Sequence, residues 1–74
     1  MYEQFKNILV EELGIDADLI TMEAELTGDL GINSLELADL MLLCEDKMGL
    51  TIEDDQLSKF ITVGDVVNFL STLE

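Results

Sequence analysis

The chain of 74 residues has no proline, no histidine, no arginine and a single cysteine. Each absence excludes something. Without histidine there is no Ser-His-Asp or Cys-His pair and no imidazole metal ligand. One cysteine, Cys44, can build neither a structural zinc site nor an internal disulfide. A lone thiol suits a reducing cytosol. With no proline, low-complexity tract or internal repeat there is no linker, so a single domain over residues 1–74 is expected. No apolar run approaches the roughly 18 residues of a membrane span. The opening Met1-Tyr2-Glu3-Gln4-Phe5-Lys6 lacks a signal peptide's charged start and apolar middle. A cytoplasmic protein with no membrane insertion is expected. A core this small supports a net stability on the order of 3–5 kcal/mol.

What is abundant is negative charge. Seventeen acids against three lysines give a formal net charge of −14. Nucleic-acid phosphates and anionic lipid would be repelled. The partners expected are proteins with basic patches, met through electrostatic steering and weakened by salt, which screens exposed charges over about 8–10 Å. A hydrophobic share of 49% separates the chain from acidic disordered segments. The acidity does not make a calcium loop. Twelve-residue windows from Asp16 or Asp29 lack the glycine at place six and the glutamate at place twelve. No metal site and no catalytic residue is expected.

Periodicity predicts an all-α fold, a small four-helix bundle of three main helices plus one short helix with a long first loop. In the first helix, Tyr2 to Leu13, Phe5, Ile8, Leu9 and Leu13 share one face and Gly14 is the stop. Residues 15–33 lack sustained period, and their scattered Ile15, Leu19, Ile20, Met22, Leu26 and Leu30 imply a loop packed on the core. The second helix begins at Asn33 or Ser34, where Asn33 and Glu36 have capping-box spacing, and ends at Gly49. Asp54 or Asp55 caps a short helix. Thr62 caps the last one, with Asp65 at N3 and Val63, Val66, Val67, Leu70 and Leu73 as its core stripe; Gly64, early in that helix, costs little.

The second helix has two apolar faces. Projected at 100° per residue, Leu37, Leu40, Met41, Cys44 and Met48 form the core stripe. Leu35, Ala38 and Leu42 fall opposite, ringed by Glu36, Asp39, Glu45 and Asp46. Apolar anchors inside a charged rim make a transient docking site; contacts of Leu35 with the loop and of Leu42 with a neighbouring helix would account for the same pattern. Ser34 stands at the positive end of this helix, a favourable place for a phosphate, although serine at a helix start is also an ordinary cap. The surrounding Gly31-Ile32-Asn33-Ser34-Leu35 is not a G-x-S-x-G elbow and has no base to activate the hydroxyl.

At these residues the chain resembles the acyl carrier proteins. Leu26-Thr27-Gly28-Asp29-Leu30-Gly31-Ile32-Asn33-Ser34-Leu35 resembles the family's signature, an Asp-Leu-Gly element followed by an Asp-Ser-Leu triplet. Ile52-Glu53-Asp54-Asp55 and Lys59-Phe60-Ile61-Thr62-Val63-Gly64-Asp65 resemble the approaches to the family's short third helix and to its last one, so the likeness runs the length of the chain. The resemblance implies a free-standing, monomeric carrier, not an enzyme. It implies a covalent 4′-phosphopantetheine on Ser34, transferred from coenzyme A by a phosphopantetheinyl transferase. It also implies that acyl-processing enzymes with basic docking patches read Leu35, Glu36, Asp39, Leu42, Glu45 and Asp46. Acyl chains in the family fold back between helices, a role that Met41 and Met48 suit.

One departure stands out: Asn33 replaces the family's aspartate before the serine. Asparagine caps a helix equally well. The resemblance implies that the family's carboxylate serves the transferase's divalent metal site, where a neutral amide is a poorer ligand for Mg²⁺, so slower loading, a dedicated transferase or no loading would follow. Fatty-acid biosynthesis is the expected pathway. The alternatives are a dedicated polyketide, nonribosomal-peptide or lipid pathway, and an adaptor that is never modified.

Overall fold

A computed structural model describes residues 1–73. Three α-helices form the frame: α1, Tyr2–Leu13; α2, Ser34–Met48; and α3, Val63–Thr72. Short 3₁₀ segments, Ala17–Leu19 and Asp54–Lys59, lie in the two connections. The fold is all-α, with no strand among the described residues beyond an isolated antiparallel bridge between Glu25 and Thr62.

The apolar stripes meet as the periodicity requires. Phe5, Ile8 and Leu9 from α1, Leu40, Met41 and Cys44 from α2, and Val63, Val66, Val67 and Leu70 from α3 are buried together. Gly14 and Gly49 end α1 and α2. Both expected capping boxes form, Asn33 with Glu36 and Thr62 with Asp65. Two expectations need correction. Leu73, placed on the α3 stripe, is 41% exposed; the helix ends at Thr72, so the helical period no longer governs it. The short helix is 3₁₀, and Glu53 rather than Asp54 or Asp55 occupies its cap position. The Gln56 amide donates to the Glu53 carbonyl, the tighter i to i+3 pattern.

The long loop is a built part of the molecule. Ile20, Ala24, Leu26, Leu30 and Ile32 are buried in the core, whereas Leu19 and Met22 are exposed. Its backbone is clamped to the start of α3. The Gly64 amide donates to the Met22 carbonyl at 2.8 Å, Val63 to Ala24 at 2.9 Å, and Leu26 to Ile61 at 2.9 Å. The Tyr2 hydroxyl ties the other side, donating to the Ile20 carbonyl at 3.1 Å. Gly64 is required by this clamp, because a Cβ there would stand 2.9 Å from the Met22 carbonyl oxygen. Helix period carries no information about such an approach.

Charge opposes the fold. The one ion pair found among the described residues, Lys47 with Glu12 at 3.6 Å, is solvent-exposed and contributes little. Self-repulsion at −14 is therefore almost uncompensated. Added Mg²⁺ or salt is expected to raise Tm, by about 4–8 °C for each kcal/mol regained. Calorimetry across a salt series checks this, and a falling Tm would contradict it.

Candidate functional site

The site is assembled at the shared end of the molecule where α2 and α3 begin. Leu26 joins the two starts: its carbonyl accepts the Ile32 amide at 2.9 Å, and its own amide donates to the Ile61 carbonyl. Gly31, at φ 70°, makes the turn into α2. Asn33 then takes the cap position with extended backbone. Its Oδ1 accepts the Glu36 amide at 2.8 Å, and Glu36 Oε1 accepts the Asn33 amide at 3.2 Å.

Ser34 is the first residue of α2 and is exposed. Capping falls to Asn33, so the serine hydroxyl is left over. No hydrogen bond within the described residues holds it. Of the first-turn amides, those of Glu36 and Leu37 are accepted by Asn33; those of Ser34 and Leu35 have no acceptor within the helix. A phosphate ester on the hydroxyl would meet the positive end of a 15-residue helix. No base among the described residues is bonded to the hydroxyl, so nothing there activates it as a nucleophile.

Leu35 is 80% exposed and Leu42 is 62% exposed. Neither is covered by the loop or by a neighbouring helix. Glu36, Asp39 and Asp46 are exposed beside them, and Ala38 is half-buried. Glu45 differs from the other rim acids. It is half-buried, and its Oε2 accepts the Ile52 amide at 2.7 Å, closing the segment that follows α2. That partner lies beyond the helix end, out of reach of helical projection.

Behind Leu42 lies a cavity of about 130 Å³ between α2 and the second 3₁₀ segment, lined by Ala38, Met41, Leu42, Glu45, Ile52 and Leu57, among others. Met41 faces it. Met48 does not; it lines a separate hollow with Met1, Gln4 and Leu73. Cys44 is fully buried on the core stripe. Burial, reinforced by the Glu45 charge, pushes its thiol up to about 12. It stays a neutral, unreactive thiol across the physiological range. Among the described residues no group of three or more His, Cys, Asp or Glu side chains is placed to hold a metal. Nor is any helix long and apolar enough to cross a membrane.

The family described as "Phosphopantetheine attachment site" matches residues 3–70. The crystal structure of an acyl carrier protein from Thermotoga maritima superposes with a TM-score of 0.84 at 30% identity, covering 96% of this chain and 82% of that one. Fold and sequence together define a carrier of covalent phosphopantetheine rather than a catalyst. The chain belongs to the acyl carrier protein family.

Proposed function

We propose that Ser34 is the attachment point of the 4′-phosphopantetheine arm and that the chain shuttles acyl groups as thioesters on that arm. The observation that carries this reading is the Ser34 hydroxyl, exposed and unheld at the first position of α2 because Asn33 does the capping. A phosphopantetheinyl transferase supplies the base and the metal. Acyl-processing enzymes with basic patches dock on Leu35, Glu36, Asp39, Leu42 and Asp46, and Glu45 adds charge from a position fixed by its bond to Ile52. Tethering raises the effective concentration of cargo at each partner without any chemistry by the carrier.

The cavity behind Leu42 supports partial shelter of the cargo. An engineered cavity of about 150 Å³ holds one benzene, so about 130 Å³ receives a few methylenes. A longer chain needs the helices to part, with Met41 yielding. Fatty-acid biosynthesis in the cytoplasm, by a monomeric single-domain carrier, is the reading we favour. A dedicated polyketide, nonribosomal-peptide or lipid pathway is the alternative.

An adaptor that is never modified is the second reading, and Asn33 is what favours it. Incubation with coenzyme A and a broad-specificity transferase separates the two. The carrier gains the mass of one phosphopantetheine. It also gains one fast-reacting thiol toward Ellman's reagent, against none before loading, because Cys44 is buried. No gain with several transferases would support the adaptor.

A further inference from the structure

Six large apolar side chains are exposed among the described residues: Leu19, Met22, Leu35, Leu42, Ile61 and Leu73. Ile61, at 61% exposure, lies outside the α-helices, yet its backbone is held on both sides. Its amide donates to Asp65 Oδ2 at 3.0 Å, and its carbonyl accepts the Leu26 amide at 2.9 Å. A β-branched side chain on an anchored backbone is presented with little freedom left to lose on binding.

Its surroundings are acidic. Asp65 bonds the Ile61 amide directly, Glu25 is bridged to the adjacent Thr62, and Asp29 accepts the Glu25 amide. Hydrogen bonds from the Thr62 and Ile61 amides hold the Asp65 carboxyl below its ordinary range, so it stays charged in mild acid. Lys59 is the one cation in residues 59–73. Apolar knob and acidic collar repeat the construction of Leu35 and Leu42 on the other helix start.

We propose that Ile61 is a second docking anchor, seated in an apolar socket framed by basic side chains on the transferase that loads Ser34. This rests on the reading of Ser34 as the attachment point. The transferase is the partner that fits, because its active centre must reach the serine oxygen itself. It must therefore cover the end of the molecule where both helices begin. Enzymes that act at the tip of the arm have no such constraint. Leu42, eight residues into α2, lies about 12 Å further along the axis.

Steady-state loading with coenzyme A and a purified broad-specificity phosphopantetheinyl transferase tests this. Ile61→Thr, which keeps the branch and removes the apolar end, raises KM for the carrier about tenfold with kcat nearly unchanged. Ile61→Val, its isostere with a methyl in place of the hydroxyl, loses one methylene and raises KM no more than about fourfold. Both melt near the wild type, since the side chain is exposed. A wild-type KM for Ile61→Thr, while Leu35→Ser raises it, overturns the second anchor and leaves the arm reading standing. A wild-type chain that takes no arm overturns both.

Discussion

Ser34→Ala is expected to abolish loading completely, with no mass gain after incubation with coenzyme A and a transferase, while the fold stays intact. The other hydroxyls offer no substitute. The Thr62 hydroxyl is spent as the α3 cap, accepting the Asp65 amide, and Ser58 donates to the Asp55 carbonyl. Only Ser34 combines exposure, an unheld hydroxyl and the first position of a long helix. Stability should change by less than about 0.5 kcal/mol, since Asn33 remains the cap and alanine is a good helix former. Intact mass and thermal melting, run side by side, check both halves. A phosphopantetheine adduct surviving in the alanine variant would move the attachment point elsewhere.

Gly64→Ala tests the clamp, and two effects compete with opposite signs. Helix propensity favours alanine over glycine by about 0.8–1.0 kcal/mol within a helix. Against this, the new Cβ would lie 2.9 Å from the Met22 carbonyl oxygen and 3.6 Å from the Met22 methyl. The carbonyl cannot move away freely, because it accepts the Gly64 amide at 2.8 Å and the neighbouring Val63–Ala24 bond holds the same segment. Relief requires the loop to peel from α3. Overpacking of this kind costs about 1–3 kcal/mol, a large part of a stability on the order of 3–5 kcal/mol. The variant is expected to melt several degrees lower, at about 4–8 °C per kcal/mol. A higher Tm would mean that propensity wins and that the clamp is soft.

Much of the frame was legible because its causes are local. Phe5, Ile8 and Leu9 bury one face of α1 for the reason that helical period states, and Asn33–Glu36 and Thr62–Asp65 close their boxes within four residues of chain. The exposed strip of Leu35 and Leu42 followed from the same projection. The short 3₁₀ segment Ala17–Leu19, capped by Asp16, whose side chain accepts the Asp18 amide, lies in a stretch where periodicity predicts only loop. Leu73 was misplaced because a period was extended past the helix end.

By itself the sequence determined three helices, their starts, the glycine stops of α1 and α2, the acidic surface and the serine at the start of α2, since caps and stripes act over one or two turns. Tertiary structure alone decided three further things. It bound the Glu45 carboxylate to Ile52, pressed Gly64 against Met22, and left Ile61 uncovered beside the end that carries Ser34. The physical reason is the same in each case. These contacts join segments that are distant along the chain or separated by a helix end, and no local periodicity records which backbone atoms will meet there.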